Sequence, residues 1–164
     1  MKIIQEPYKT ILDKLLLKIR QEWKDNLISL VLYGSVARGD FNENSDNDLL
    51  IFCENLPKSI SKRFEMFLEI EDELHLEKYH ENGFNVDFST ILRTKKEAEN
   101  LIPLYLDMVD DAIILNDKNN FFNNVLNRLR EQLKRLDAKR IYIGKKWYWD
   151  LKPNYKFGED IIIE

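Results

Sequence analysis

The chain has 164 residues, of which 44% are hydrophobic and 33% are charged, and this composition excludes a disordered chain and predicts one domain with a solvated surface. The net charge of −4 provides no general attraction for nucleic acid, which binds largely through Lys and Arg. The single cysteine, Cys53, excludes an intramolecular disulfide and a Cys-rich zinc site. The charged N-terminal segment does not resemble a signal peptide, and no apolar run is long enough to span a bilayer, so we expect a cytoplasmic protein.

Helices and strands alternate along the first half of the chain. Apolar residues at helical spacing from Tyr8 onward predict an amphipathic helix over residues 8–24. The β-rich run LISLVLYG, residues 27–34, ends in glycine and predicts a strand buried on both faces. The run DNDLLIFCE, residues 46–54, predicts the next strand. Apolar residues in the segment 57–80 then predict one or two helices.

A third strand is predicted after residue 83. Asn82-Gly83 is typical of a β-turn and indicates an antiparallel-looking turn before this strand. The alternation that follows places Val86 and Phe88 on one face of the strand and Asp87 on the other.

The C-terminal third predicts two more helices and a short strand. We expect a helix over 95–109 that is interrupted or starts afresh near Pro103, a strand over 112–115 and a helix over 119–139. The class is therefore α/β (α+β), with a short mixed β-sheet covered by helices and functional residues at one end of the strands. We expect a single domain over 1–164, with a core at about 8–117 and a C-terminal helix and aromatic tail over 119–164.

Two aspartates at the entrance of the second strand suggest a metal site. The period of two places Asp46 and Asp48 on the same face, so their carboxylates converge and repel each other. Holding both ionised requires a cation, and oxygen ligands suit Mg²⁺ or Mn²⁺ together with substrate phosphates. Asp87 is the natural third carboxylate if its strand lies beside the first two. Three such carboxylates can hold two metal ions.

The turn that precedes these aspartates predicts a phosphate site. Gly34 allows a phosphate to approach the main chain, and Ser35 is expected to be the N-cap of a short helix whose N–H groups can bind an anion. Arg38 offers a planar charge for a phosphate or for an ion pair with Asp40. Phosphates on the turn and metals on the aspartates together describe a nucleoside triphosphate site.

The segment GSVARGDFNENSDNDLL resembles the signature of the DNA polymerase β-type nucleotidyltransferase superfamily, in which Gly-Ser is followed after ten residues by Asp-x-Asp. Its form looks most like the minimal nucleotidyltransferases of archaea and bacteria, often partners of HEPN-domain ribonuclease toxins. The resemblance implies a polymerase β-like fold, Mg²⁺ on Asp46 and Asp48, Asp87 as the third acidic residue, and triphosphate contacts from Gly34 and Ser35. It also implies transfer of a nucleoside monophosphate from ATP or a similar nucleotide to an acceptor, with a tyrosine hydroxyl of a HEPN partner as the suggested acceptor.

Other functions fit the same residues. A small-molecule acceptor such as an aminoglycoside is a second enzymatic option. A module that binds nucleotide or toxin without turnover, as an antitoxin or scaffold, is an alternative of a different class. We do not expect a template-dependent polymerase, because an acidic chain of this size leaves no evident room for a primer-template groove. The oligomeric state is open.

Several residues also have structural interpretations. The aspartates could belong to a solvated loop, Gly34-Ser35 to a simple turn, and Cys53 to the core. His75 and His80 are expected to be solvated. The aromatic and basic segment 145–155, which includes Trp147 and Trp149, could cover an edge of the core, stack on bases or bind a partner.

Overall fold

The computed structural model describes residues 4–42, 44–144 and 146–163, so residues 1–3 and 164 of the predicted domain lie outside the described residues. The helices and strands are α1 (Tyr8–Trp23), β1 (Leu27–Tyr33), α2 (Gly34–Arg38), β2 (Asn47–Cys53), α3 (Ile60–Asp72), α4 (Glu77–Glu81), β3 (Phe88–Thr94), α5 (Leu104–Asp111), β4 (Ile113–Asp117), α6 (Phe121–Arg135), β5 (Lys139–Ile143) and β6 (Lys146–Asp150). The first predicted helix and the first two predicted strands are confirmed to within one residue. Of the two possibilities near Pro103, the fresh helix start is confirmed, because α5 begins at the residue after it.

The main sheet is short and mixed, as predicted. Its strand order is β3-β2-β1-β4, and β1 pairs antiparallel with β2 and with β4, whereas β2 pairs parallel with β3. β1 therefore ends at the end of the sheet where β2 and β3 begin. We call this the candidate-site end, since it gathers the residues that follow β1 and those that precede β2 and β3.

Helices cover both faces of the sheet. One core contains Ile11 and Leu15 of α1 and Phe67 of α3, packed against one face. The other core contains residues of α5 and α6, including Met108 and Phe122, packed against the opposite face. All residues of β1 are buried, which confirms the prediction of a strand buried on both faces. Cys53 lies in the first core, as predicted.

The expected antiparallel turn at Asn82-Gly83 is wrong. Asn82 follows the end of α4, and Gly83 has a φ of +82°, so the two residues terminate a helix. The chain then enters β3 parallel to β2. Helix ends and hairpin turns both require a residue with a positive φ, and Asn-Gly can supply it in either structure. The dipeptide alone therefore does not distinguish a helix end from a hairpin turn.

The C-terminal segment forms a hairpin that the sequence pattern did not predict. The helix predicted over 119–139 ends at Arg135, and β5 and β6 pair antiparallel directly after it. Lys145, the first residue of the predicted aromatic segment, lies outside the described residues. The indole N–H of Trp149 donates to the carbonyl of Leu106 at 3.1 Å, which joins β6 to α5. Trp149 packs against the second core, in agreement with the interpretation that this segment covers a core edge.

Within the part of the chain that the structure describes, no helix combines the length and apolarity needed to cross a membrane.

Candidate active site

The candidate-site end of the sheet brings together the residues predicted to bind metal and phosphate. Gly34 directly follows β1, Asp48 is the second residue of β2, and Asp46 and Asp87 immediately precede β2 and β3. Asp48 pairs with Tyr33 of β1 on one side and with Ser89 of β3 on the other. Because residues paired between strands share a face, Asp48 and Ser89 lie on the same face of the sheet. Leu50 and Phe52 of β2 also lie on this face and belong to the second core, so this is the face covered by α5 and α6.

At this end, a carboxylate packs against the main chain of the turn. Gly34 has a φ of +71°, a conformation that side chains disfavour. A Cβ atom at this position would overlap Oδ2 of Asp48 and lie 2.9 Å from its Cγ. Glycine is therefore needed both for the turn and for the approach of Asp48.

The environment of Asp48 disfavours its negative charge. Burial raises the pKa of the Asp48 carboxyl, and the neighbouring charge of Asp46 raises it further, while the Ser89 hydroxyl and the Arg38 guanidinium act in the opposite direction. The mutual repulsion that the sequence predicted for Asp46 and Asp48 is thus present in the folded chain. A bound cation would relieve it.

Asp46 and Asp87 are linked through the segment that leads into β3. Asn85 donates from its side-chain amide to Oδ1 of Asp46 at 3.3 Å and accepts the backbone N–H of Asp87 at 3.1 Å. His80 of α4 lies 3.3 Å from Oδ1 of Asp87, measured from its Nε2 atom. The His80 side chain is partly exposed, in keeping with the expectation of a solvated residue, but it has this specific acidic neighbour.

The buried side chain of Asn47 fixes the spacing between the two strands at this end. Its backbone N–H donates to the carbonyl of Asp87 at 2.8 Å, and its side-chain amide donates to the carbonyl of Val86 at 3.2 Å. The hydrogen bonds of Asn47 to the carbonyls of Val86 and Asp87 therefore help to position Asp87 relative to Asp46 and Asp48.

The donor set is suited to a hard divalent cation. Asp46 and Asp48 supply carboxylate oxygens, and Mg²⁺ is commonly held by one or two carboxylates together with substrate phosphates and water. In the described ranges 4–42, 44–144 and 146–163, no three His, Cys, Asp or Glu side chains lie close enough together to hold a metal ion. Asp87 thus lies at the same end of the sheet as the other two aspartates without forming a three-carboxylate cage with them.

The expectation that Ser35 is a helix N-cap is wrong. α2 begins one residue earlier, at Gly34, and Tyr33 takes the capping position in an extended conformation without a side-chain cap bond. The positive φ of Gly34 turns the chain into the helix, so Ser35 already lies in the first turn. Its carbonyl accepts the N–H groups of Gly39 and Asp40 at the other end of this short helix.

Arg38 forms the ion pair with Asp40 that the sequence suggested, with 3.2 Å between Nε and Oδ2. Burial raises the pKa of Asp48 and that of Asp107, and the charge of the Arg38 guanidinium partly opposes the rise in both, so this group lies near carboxylates of β2 and α5. The Arg38 side chain is partly exposed.

Tyr33 and Asp107 were not identified from the sequence as candidate site residues. Burial, followed by the charges of Asp48 and Asp107, raises the pKa of Tyr33 to about 12. Burial also raises the pKa of Asp107, against the opposing effects of Arg140 and Arg38. No motif marks Asp107, because its proximity arises from the packing of α5 against α2.

The sequence signature predicted this arrangement at one end of the sheet. It consists of the turn at Gly34, the Asp48 carboxylate packed on it, and Asp46 two residues before Asp48. The model of the nucleotidyltransferase domain family matches residues 12–115, and the chain belongs to this family. The predicted nucleotidyltransferase membership and mixed α/β fold are confirmed.

Two relatives from Methanocaldococcus jannaschii are similar to this chain. The protein named "Putative protein adenylyltransferase MJ1305" is 33% identical over 141 residues, which cover 86% of this chain and 92% of the relative. The protein named "Putative protein adenylyltransferase MJ0141" is 50% identical over 34 residues, covering 21% of this chain and 34% of the relative.

Two solved structures of toxin-antitoxin complexes also align with the chain. A chain of the toxin-antitoxin complex with AMP-PNP has a TM-score of 0.43 and 15% identity, over 76% of this chain and 91% of that one. A chain of the MntA-HepT toxin-antitoxin complex has a TM-score of 0.44 and 13% identity, over 79% of this chain and 92% of that one.

Proposed function

We propose that this nucleotidyltransferase uses Mg²⁺, or Mn²⁺ in its place, to transfer AMP from ATP to a hydroxyl group of a protein. The observation that carries the proposal is the packing of the Asp48 carboxylate on Gly34, which joins a metal-type ligand to a turn suited to phosphate. The name of the relative that matches 86% of this chain supports a protein as the acceptor. The protein would act in the cytoplasm as one nucleotidyltransferase domain.

Each predicted site residue has a role in this proposal. Asp46 and Asp48 hold the metal ion, and Asp87 completes the acidic set from the neighbouring strand. Gly34 leaves space for the triphosphate next to the main chain, and the Ser35 hydroxyl contacts it. Arg38, which pairs with the exposed Asp40, can exchange this weak surface contact for a phosphate oxygen.

The proposed transfer is a displacement at the α-phosphorus of ATP. The acceptor oxygen forms a bond to this phosphorus while the bond to the oxygen bridging the α- and β-phosphates breaks, and pyrophosphate leaves. Asp87 orients the acceptor hydroxyl and takes its proton, while His80, 3.3 Å from Oδ1, holds this carboxylate in place. When bound, Mg²⁺ supplies positive charge to the phosphate oxygens.

We further propose a tyrosine hydroxyl of a HEPN-domain toxin as the acceptor, which would make the protein an antitoxin. The support is the resemblance of the segment from Gly34 to Asp48 to minimal nucleotidyltransferases that accompany such toxins. The formal charge of −4 argues for a protein acceptor over nucleic acid.

The experiment is incubation with α-³²P-labelled ATP, Mg²⁺ and the product of the neighbouring gene. Wild type is compared with Asp46→Asn/Asp48→Asn and with the control Asp13→Asn/Asp25→Asn. The control removes two exposed carboxylates, Asp13 and Asp25, which form ion pairs with Lys9 and Lys118. We expect label on the neighbouring protein with wild type and with the control, and none with the Asp46/Asp48 variant.

A different outcome of this experiment would overturn the proposal. If no nucleotide gives labelled product, and a stable complex with the neighbour survives the Asp46/Asp48 substitutions, the transferase proposal fails. The protein would then be a non-catalytic antitoxin or scaffold.

A further inference from the structure

An open cleft lies between α5 and the C-terminal hairpin. Its volume is about 620 Å³, within the range of roughly 300–1,000 Å³ found for small-molecule sites. Its lining includes Pro103, Leu106, Asp107, Trp147, Tyr148 and Trp149. The hairpin side of this cleft lies outside the residues 12–115 that match the family model.

One end of the cleft adjoins the candidate active site. Asp107 lies at this end, and α5, which carries it, packs against α2. The guanidinium of Arg38 acts electrostatically on both Asp107 and Asp48, and the Tyr33 side chain is influenced by both carboxylates. A nucleotide with its phosphates at Gly34 and Asp48 therefore has this cleft within reach of its nucleoside.

Two of the aromatic rings in the cleft are held in place. The Arg140 guanidinium lies 3.7 Å from the ring centroid of Trp147, and the same side chain is bonded to Asp111 of α5. Trp149 is fixed by its hydrogen bond to the carbonyl of Leu106. A guanidinium on one face of an indole leaves the ring ready to stack on a flat ligand, and rigid aromatic surfaces bind nucleobases in this way.

Asp107 adds a polar feature to this apolar cleft. An ionised carboxylate can only accept hydrogen bonds, so it matches a ligand edge that donates them. The exocyclic amino group of adenine is such a donor. The combination of stacking surface and carboxylate fits an adenine base better than a purely apolar ligand.

We propose that the cleft between α5 and the hairpin binds the base of the nucleotide substrate, with Trp147 as the stacking surface and Asp107 as acceptor for the exocyclic amino group. This inference rests on the proposed function, because the phosphates of the same nucleotide occupy the Gly34 turn. It deepens that function by naming the residues that select the base.

The test separates base binding from phosphate binding. Isothermal titration calorimetry measures the affinity of wild type, Trp147→Leu and Trp147→Phe for MgATP and for Mg-tripolyphosphate, which has no base. Tyr155→Leu is the matched control, because Tyr155 is an exposed aromatic residue outside the cleft lining. Thermal unfolding of each variant establishes that it is folded.

We expect Trp147→Leu to weaken MgATP binding by about 10-fold or more and to leave tripolyphosphate binding unchanged. Trp147→Phe, which keeps a ring, should recover most of the MgATP affinity, and Tyr155→Leu should equal wild type. Equal MgATP affinity in Trp147→Leu and wild type would overturn the base site and leave the proposed function intact. If Trp147→Leu reduced label transfer to the acceptor protein but left MgATP affinity unchanged, the base site would also be overturned and the proposed function would stand. The cleft would then be assigned to binding of the acceptor protein. Failure of wild type to bind either ligand would overturn both proposals.

A second comparison uses Asp107→Asn and does not depend on Trp147. ATP is compared with the triphosphate of purine riboside, which lacks only the 6-amino group. Wild type should prefer ATP by about 10-fold, since a hydrogen bond to a charged group is lost with the analogue. This preference should shrink in Asp107→Asn. An unchanged preference in that variant would exclude Asp107 as the acceptor for the amino group.

Discussion

The carboxylate of Asp48 occupies the space that any side chain at position 34 would need. Gly34 is the first residue after β1, and Asp48 lies on the neighbouring antiparallel strand. Their contact fixes the distance between the proposed metal ligand and the proposed phosphate turn. The two halves of the sequence signature are therefore one structural unit, although ten residues separate Ser35 from Asp46.

Gly34→Ala should damage both stability and activity. The new Cβ would overlap Oδ2 of Asp48, and alanine disfavours a φ of +71°. We expect a loss of about 2 kcal/mol or more in the free energy of unfolding and of at least about 100-fold in nucleotidyl transfer. Chemical denaturation and the transfer assay measure the two effects.

Gly39→Ala is the matched control for this substitution. Gly39 has a φ of +80°, but a Cβ there would have no atom within 4 Å. It should lose about 1 kcal/mol of stability from backbone strain and keep its activity when folded. Similar activity losses in the two variants would show that the Gly34–Asp48 contact has no special role.

Asp48→Asn should abolish transfer while stabilising the metal-free protein. The pKa of Asp48 is raised in the folded state, so the folded protein binds this proton more tightly than the unfolded chain does. The free energy of unfolding therefore decreases as pH rises from the unfolded-state pKa to the folded-state pKa of Asp48. An asparagine side chain does not titrate and removes this decrease. We expect an activity loss of about 100-fold or more, with a free energy of unfolding at pH 7 equal to or above that of wild type. A strongly destabilised variant would contradict this explanation.

Mg²⁺ should raise the melting temperature of wild type and not that of Asp46→Asn/Asp48→Asn. A ligand that binds only the folded state stabilises it by about 2.7 kcal/mol at 100 times its dissociation constant. Differential scanning calorimetry in EDTA and in increasing Mg²⁺ tests this effect. The Asp13→Asn/Asp25→Asn variant should respond like wild type, and an equal response of all three proteins would place the binding elsewhere.

Glu97→Gln should lower stability in a pH-dependent manner. The Arg63 guanidinium contacts both carboxylate oxygens at 2.8 Å and, with hydrogen bonds from Thr94, lowers the pKa of Glu97 to about 2. The contribution is therefore complete above the unfolded pKa near 4.5 and disappears as pH falls toward 2. Because Glu97 is partly exposed, we expect a loss of only about 1–2 kcal/mol at pH 7.

Denaturation of wild type and Glu97→Gln between pH 2 and pH 7 measures this difference. Glu54→Gln is the control, because Glu54 has only an exposed contact of 4.0 Å with Lys95. It should change stability little at any pH. A difference between Glu97→Gln and wild type that persists undiminished at pH 2 would indicate lost packing and not a lost ion pair.

The sequence predicted those parts of the fold in which burial produces a clear pattern. β1 and β2 are covered on both faces, so their apolar runs are continuous and their boundaries were predicted to within one residue. The hairpin of β5 and β6 is partly exposed and follows α6 closely, so its residues were assigned to the helix and to an aromatic tail for which no strand was predicted. Asn82-Gly83 was misassigned because helix ends and hairpin turns both use residues that accept a positive φ.

The site was predictable to the extent that its residues are close in sequence. Gly34, Asp46 and Asp48 belong to one strand-turn-strand unit, and their spacing carries the signature. Asp107 and His80 come from helices whose packing against the sheet cannot be read from local spacing. Ser35 was assigned as an N-cap because its residue type favours that position, whereas the backbone of Gly34 determines where α2 begins.

The hydrogen bonds of Asn47 have a consequence for errors in strand pairing. They hold β2 and the start of β3 in one alignment, with the amide of Asn47 on the carbonyls of Val86 and Asp87. A displacement of β3 by one residue would exchange its two faces, turning Asp87 into the apolar layer and Val86 toward the open site. The buried polar side chain of Asn47 thus disfavours misaligned strand pairing, since such a chain would lose both the proposed position of Asp87 and the packing of Val86 in the core.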